Sequence, residues 1–283
     1  MYFAGIDIGS TVTKIVILDD KESLVSKIIR YTAPEHRRFA NKLMEEVLEK
    51  AELTIDDIEA IVATGYGRVS VPFADKKVTE ITCHAIGVSC IFPHARTIID
   101  IGGQDSKGIK VINGRVVDFV MNDKCAAGTG RFLDVIAEAL GSSPHEMGEY
   151  ALRSSSPVTI NSICTVFAEQ EVVSYLADGV LMEDIAAGIY DAIVARIHGM
   201  VRRIGIEQEI IMTGGVAKSR GLIKTAKKRL GRVLTPPEPL ITGALGAAIF
   251  AKRLFEDSNR KGTLIDKSKR RMDRVTFFDQ AAR

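Results

Sequence analysis

Residues 2–20, YFAGIDIGSTVTKIVILDD, and residues 96–123, RTIIDIGGQDSKGIKVINGRVVDFVMND, write one pattern twice in a single chain. In each copy an apolar run, Phe3 to Ile8 or Ile98 to Ile101, ends in Asp-Ile-Gly. A turn of Gly, Ser, Thr and other small or polar residues then reverses the chain into Ile15 to Leu18 or Ile109 to Ile112. Each copy therefore predicts a strand, a tight turn and a second strand, and the repetition predicts two similar halves.

Between the copies the sequence reads as a helix near residues 37–51, a strand from Ile58 to Ala63, the glycine-punctuated turn ATGYGR and a helix from about Glu80 to Phe92. After residue 131 the pattern is mostly helical. It changes at EIIMTGGVAKSRGLIKTAKKRL, which predicts a strand, a Gly-Gly turn and a helix, and ITGALGAAIFAKRLF predicts a final helix. Strands alternating with helices give an α/β fold. The expected organisation is a first half over residues 1–95, a second half over 96–256 that contains the cysteine-bearing helices, and a tail over 257–283. The tail carries eight Lys/Arg against four Asp/Glu and is expected to be a solvated or partly ordered basic terminus with no chemistry of its own, although its VTFFD stretch offers a short apolar anchor that could dock on the body or on a partner.

At 283 residues the chain is long enough for two cores, and with 46% hydrophobic and 26% charged residues it has ordinary globular composition. A net charge of +2 makes no electrostatic case for a nucleic-acid partner, and none is expected. The opening MYFAGIDIGS lacks a basic region, and no apolar run approaches the 18 or so residues of a membrane span. The expectation is a cytoplasmic protein without a membrane segment. Four cysteines in a reducing compartment then serve packing, catalysis or metal binding rather than disulfides.

Two of the four share a context. Cys125 lies in NDKCAAGTGRFLDVIAEAL, and Cys164 in NSICTVFAEQEVVSYL, each just ahead of a predicted amphipathic helix. The N-terminus of a helix presents unpaired N–H groups and a partial positive charge that favour a thiolate. Cys83 and Cys90, seven residues apart on one helix face, have no such context and read as core residues.

The DIGST turn suits a nucleotide phosphate. Gly9 lets the backbone approach closely, Ser10, Thr11 and Thr13 add hydroxyls, and Lys14 adds positive charge. Asp7 and Asp100 end equivalent strands, where carboxylates commonly hold Mg²⁺ beside phosphate oxygens. Gly-rich strand turns mostly only reverse the chain. Three in order, DIGST, DIGGQD and MTGGVAKS, the last suited to covering an adenosine, argue for more than reversal.

These three turns resemble the phosphate-1, phosphate-2 and adenosine segments of the superfamily that unites actin, the heat-shock-chaperone ATPases and the sugar kinases, a two-domain, ribonuclease H-like ATPase fold. Within it ATGYGR, TEITCHA, IDIGGQDSK, MNDKCAAGTGRFLD, TVFAE and MTGGVA resemble the ATP-dependent activators of 2-hydroxyacyl-CoA dehydratases and their relatives, which include benzoyl-CoA reductase ATPase subunits and reductases of double-cubane-cluster proteins. The resemblance runs from residue 2 to about residue 253. It implies a homodimer that holds one 4Fe–4S cluster between its subunits, with Cys125 and Cys164 at the matching positions. It also implies single-electron transfer from a reduced ferredoxin or flavodoxin to a partner iron–sulfur dehydratase or reductase, driven by ATP binding and hydrolysis. In the nucleotide site it places ATP or ADP against Gly9, Ser10, Thr11, Thr13 and Lys14 and against Gly102, Gly103 and Gln104. Mg²⁺ falls to Asp7 and Asp100, the adenosine to Gly214, Gly215 and Val216, and the orientation of the attacking water to Gln104 or Asp105. Gly128, Thr129 and Gly130 also lie where a phosphate could approach. The rival readings are a metabolite kinase, with Asp105 as base and incidental cysteines, and a nucleotide-gated scaffold.

Overall fold

The computed structural model describes residues 1–161, 164–270 and 272. The chain divides into two compact units, one built from Met1–Pro93 together with the segment from Leu240 onward, the other from His94–Pro239.

In the first unit, β1 (Tyr2–Ile8), β2 (Val12–Asp19) and β3 (Leu24–Tyr31) form an antiparallel meander. After α1 (His36–Lys50), β4 (Ile58–Thr64) joins the other edge of β1 in parallel, and the short β5 (Lys76–Lys77) follows it. The order is β3-β2-β1-β4-β5. β1 is buried from Phe3 to Ile8 and β4 almost throughout. A strand covered on both faces reads as a continuous apolar run, which is how both strands appear in the sequence. α2 (Glu80–Ile91) starts at an N-cap, where the Thr79 hydroxyl accepts from the Thr82 N–H at 3.4 Å.

The second unit repeats the plan. β6 (Thr97–Ile101), β7 (Ser106–Ile112) and β8 (Arg115–Asn122) form the meander. Four helices follow: α3 (Gly130–Ala139), α4 (Pro144–Arg153), α5 (Thr165–Ala177) and α6 (Met182–Val201). β9 (Ile210–Thr213) then pairs parallel with β6; α7 (Arg220–Leu230) follows, and β10 (Val233–Leu234) closes the sheet. Its order, β8-β7-β6-β9-β10, matches the first sheet strand for strand and direction for direction. The third strands, β3 and β8, went beyond the strand-turn-strand expectation. α4 opens with a capping box between Ser143 and Glu146 and with Pro144 at its first turn.

The final helix, α8 (Thr242–Arg260), corrects the expected boundary of the second half at residue 256. It packs on β1, β2, β4 and α2 and so belongs to the first unit. Its small buried residues, Gly243, Ala244, Gly246, Ala247, Ala248 and Ala251, allow the close approach. Nothing local in the sequence shows which sheet such a helix covers.

In its described part the tail is partly ordered and docks on the first unit. Lys267 donates to the Asp56 carbonyl at 2.9 Å and pairs with Glu59 at 3.0 Å. Arg270, with only 4% of its side chain exposed, donates to both carboxylate oxygens of Asp75 at 3.0 and 2.8 Å and to the carbonyls of Ile55, Ile58 and Glu59. The VTFFD stretch lies outside the described residues.

Candidate functional site

The paired hairpins place the candidate residues by register. Asp7 stands opposite Lys14 across β1 and β2, and Asp100 stands opposite Lys107 across β6 and β7. On the parallel side Asp7 is level with Thr64 of β4, and Asp100 with Thr213 of β9. Both aspartates are 4% exposed. In the first unit the Lys14 ammonium donates to Asp7 Oδ2 at 3.1 Å. In the second, Lys107 pairs with Asp100 Oδ2 at 3.5 Å and with Asp105 Oδ1 at 2.7 Å, while the Thr213 hydroxyl donates to Asp100 Oδ1 at 2.8 Å.

The turns after β4 and β9 match as closely. Gly65 has φ 83 and ψ −177, and Gly214 has φ 85 and ψ 175. A Cβ at Gly65 would lie 2.3 Å from Asp7 Oδ1, and one at Gly214 would lie 2.2 Å from the Ile101 carbonyl oxygen. Positive φ and backbone contact together leave glycine as the fitting residue at both places. The sequence reading gave the glycine-punctuated turn ATGYGR no counterpart in the second half; the structure makes it the counterpart of MTGGVA. Two other residues it passed over, Lys107 and Thr213, are buried against Asp100. A lysine after DIGGQDS and a threonine before Gly-Gly were the available signals, but neither exposes its partner in sequence.

The turn residues are placed as follows. The Gly9 N–H donates to the Val12 carbonyl at 3.2 Å, and the Gly102 N–H to the Asp105 carbonyl at 2.9 Å. The Lys14 ammonium folds over the first turn, 3.3 Å from where a Gly9 Cβ would be. Ser10 and Thr11 are accessible on that turn, whereas Thr13 is buried and its hydroxyl lies 2.9 Å from that of Thr32. That bond takes Thr13 away from the open face the sequence reading assumed for it. Gly103 is half-buried and Gln104 exposed on the second turn. Gly214, Gly215 and Val216 form the start of a 3₁₀ turn over Gly215–Lys218. Beside that turn, still within the second unit, opens a cavity of about 750 Å³ whose lining includes Ala217, Lys218, Arg220, Ile223 and Pro237. Lys218 pairs with Glu238 at its rim at 2.9 Å.

α3 is tied directly to the second turn. The Gly130 N–H donates to the Gly102 carbonyl at 2.8 Å and the Arg131 N–H to the Gly103 carbonyl at 2.7 Å. The first N–H groups of a helix have no partner within it, so here the phosphate-type turn supplies two of their acceptors. A Cβ at Gly130 would lie 3.5 Å from Val216 Cγ2, so three of the candidate segments converge there. Gly128 and Thr129 meet this junction through a turn in which the Thr129 hydroxyl donates to the Ala126 carbonyl at 2.6 Å.

The two cysteines differ from each other more than expected. Cys164 is the N-cap of α5 and is exposed. Cys125 lies four residues before the N-cap of α3, Thr129, and is part-buried. The field of a helix end fades within its first turn, so only Cys164 meets the helix-terminus expectation. The Asn122 amide holds the Cys125 loop by donating to the carbonyls of Cys125 at 2.9 Å and Ala127 at 3.0 Å. α3 packs on α5, which places both cysteine-bearing segments in one unit. Cys83 is buried, as expected, and burial pushes its thiol up to about 12. Cys90 is exposed, contrary to the expectation, because it sits near the end of α2 where the helix leaves its cover. Among the described residues no group of three or more His, Cys, Asp or Glu side chains is gathered as a metal site, and no helix is long and apolar enough to cross a membrane.

In sequence and fold the chain is similar to several known proteins. It is 45% identical over 253 residues to the (R)-2-hydroxyglutaryl-CoA dehydratase activating ATPase of Acidaminococcus fermentans, covering 89% of this chain and 97% of that one. The solved structure of the activator of the 2-hydroxyisocaproyl-CoA dehydratase from Clostridium difficile with bound ADPNP superposes with a TM-score of 0.86 at 43% identity, over 92% of this chain and 98% of that one. A ROK family glucokinase from Streptomyces griseus, at 14% identity and a TM-score of 0.54 over 89% of this chain and 100% of its own, shares the fold alone. The sequence pattern of one ATPase family matches from residue 4 to residue 251, spanning both sheets, both cysteines and the three glycine turns. On that match and these identities, the chain belongs to the BadF/BadG/BcrA/BcrD ATPase family.

Proposed function

We infer that this protein is an ATP-dependent activator that passes single electrons to a partner iron–sulfur enzyme of the 2-hydroxyacyl-CoA dehydratase or benzoyl-CoA reductase type. The observation that carries the reading is the bond between nucleotide turn and helix: Gly102 and Gly103 accept from the first N–H groups of α3, and α3 packs on α5, which Cys164 caps. A change at the turn therefore has a route toward Cys164, through hydrogen bonds to α3 and the packing of α3 on α5.

In this reading Lys14, Ser10 and Thr11 bind phosphates, joined by the backbone of Gly9, Gly102, Gly103 and Gln104. Thr13 supports the turn through Thr32 instead of reaching a phosphate itself. Asp7 and Asp100 serve Mg²⁺, Gly214, Gly215 and Val216 serve the adenosine, and Gln104 or Asp105 orients the attacking water.

The thiols fit a shared cluster. Each chain supplies two candidate thiolate ligands, Cys125 and Cys164, and a two-fold axis doubles the set to the four that a 4Fe–4S cluster takes. Exposed Val166, Phe167 and Val173 on α5 beside Cys164 support a homodimer contact. Such a cluster, when bound, supplies one-electron storage at low potential. The chain's own part is to hold the thiols, exclude water with α5, and fix by nucleotide state how the two loops present them. A ferredoxin or flavodoxin as donor and a cytoplasmic location belong to the same reading.

Anaerobic purification with iron and sulfide analysis tests it. About four iron atoms per dimer are expected, lost in Cys125→Ser and Cys164→Ser and kept in Cys83→Ser. An iron chelator should also strip the cluster at different rates with ADP and with a non-hydrolysable ATP analogue, since a ligand shifts a conformational equilibrium only through differential affinity. Full iron in either serine variant, or equal rates in the two states, overturns it.

A further inference from the structure

We propose that Lys107 is a positioning residue for Asp105, so that the lysine of the second half serves a carboxylate of its own turn where the lysine of the first half, Lys14, serves a phosphate. The inference rests on the ATPase reading above and assigns a role to a residue that reading leaves unused.

The two turns share one closing backbone bond. Gly9 matches Gly102, because each donates its N–H to the carbonyl three residues on. That match makes Val12 the counterpart of Asp105, and the strand register makes Lys14 the counterpart of Lys107. Lys14 bridges to Asp7 and keeps 12% of its side chain open on the turn. Lys107 is 2% exposed and sits between two carboxylates, with the shorter contact to Asp105. An ammonium has three donors, and a buried one persists when they meet acceptors. The first half has an apolar side chain at the position where the second has an acid, so its lysine remains available to an anion from outside. The second half brings its own anion.

The fixed carboxylate is Asp105, held by three features. Its Oδ1 accepts from Lys107 at 2.7 Å, its backbone carbonyl accepts from Gly102, and a Cβ on Gly102 would lie 2.6 Å from the same Oδ1. Glycine at 102 thus leaves the space the carboxylate fills. The two aspartates and one lysine carry one net negative charge, against none for Asp7 with Lys14. The second turn is consequently suited to a cation or to orienting a water, and the first to a phosphate. Catalytic effect depends strongly on such orientation, since a misplacement of about 1 Å can cost about 100-fold in rate.

The experiment compares Lys107→Gln, Lys107→Arg, Asp105→Asn and the Asp105→Asn/Lys107→Gln double variant with the wild type, reading ATPase kcat and, independently of turnover, the Kd of ADP by calorimetry. Lys107→Gln should lower kcat at least about tenfold and leave the ADP Kd within about threefold, whereas Lys14→Gln should weaken ADP binding. Lys107→Arg, which keeps the charge and donors, should recover most of kcat. In the Asp105→Asn background Lys107→Gln should cost less than about twofold more, because residues acting as a unit are not additive. Additive losses, an unchanged kcat in Lys107→Gln, or an ADP Kd weakened as much as by Lys14→Gln each overturn the role. If Lys107→Gln does not fold, Asp105→Asn against the double variant carries the same comparison: equal kcat supports the role, and a further drop beyond threefold overturns it. A folded wild type without ATP turnover instead fails the ATPase reading itself.

Discussion

Val12 and Asp105 occupy the same place in two matching turns, each carbonyl accepting a hydrogen bond from the glycine three residues before it. One is apolar and the other an acid that holds the neighbouring lysine at 2.7 Å. The difference predicts the effect of converting one into the other. Val12→Asp should capture the Lys14 ammonium as Asp105 captures Lys107, and it adds negative charge where phosphate is to bind. ADP affinity should fall at least about tenfold, equivalent to about 1.4 kcal/mol, while Val12→Asn should bind within about threefold of the wild type. Calorimetric titration decides it: equal affinities for the Asp and Asn variants would show that Lys14 is not the phosphate-binding charge.

Arg270 predicts a stability effect from a region that ordinary sequence reading assigns to solvent. Its guanidinium and the Asp75 carboxylate are nearly fully buried, at 4% and 7% exposure, and Asp75 also accepts from the Ile61 N–H at 2.7 Å. Removing one member of such a pair leaves an uncompensated buried charge and typically costs about 3–5 kcal/mol. Arg270→Ala should therefore shift the denaturant midpoint of the first unit strongly, and Asp75→Asn combined with Arg270→Met should cost clearly less than the two single changes added. Fluorescence-monitored urea unfolding checks both. A change below about 1 kcal/mol for Arg270→Ala would place this arginine in water.

The parts of the fold and site visible in sequence are the local ones. β1 and β6 are buried on both faces and run into Asp-Ile-Gly, so one short continuous stretch suffices to find each strand, its turn and its aspartate. The glycine turn at Gly214 is legible for the same reason. What escaped is set by distance along the chain. Thr213 meets Asp100 across 113 residues, α8, which starts at Thr242, packs on strands that end by Thr64, and Arg270 finds Asp75 across 195 residues. Cys125 escaped differently: the small-residue run AAGTG sets it four residues before the N-cap of α3, and the field at a helix end is too short-ranged to span that distance.

Cys83 gives a prediction for alkaline pH. Burial raises its thiol from the model-peptide range near 9 to about 12, so in the folded protein the proton is retained where the unfolded chain sheds it. A raised folded value contributes stability that is complete below the unfolded value and is lost as pH climbs from about 9 toward 12. The wild type should thus lose stability across that window by more than Cys83→Ala does, the difference between the two curves growing with pH. Thermal melts at pH 8, 9, 10 and 11 measure it. Parallel curves would mean that the thiol titrates alike in both states. Below pH 9 a thiol reagent should label exposed Cys90 and leave Cys83 untouched in folded protein.

Phe167 tests the proposed dimer without touching a cysteine. It lies at the third position of α5, 60% exposed, and Val166 and Val173, seven residues apart, are exposed on an adjoining face. A buried phenylalanine contributes about 150–250 Å² of contact to an interface, and a charge placed in such a contact would have to be buried without a partner. Phe167→Asp should convert the dimer to a monomer in sedimentation equilibrium at micromolar concentration and lower the iron content of anaerobic protein in the same step. The substitution should leave the helix itself intact, because an aspartate in the first turn is favoured by the partial positive charge of the helix N-terminus. Circular dichroism and the ADP Kd should accordingly match the wild type. A Phe167→Asp protein that remains a dimer with full iron would move the subunit contact away from α5, and with it the assignment of Cys164 to a shared cluster.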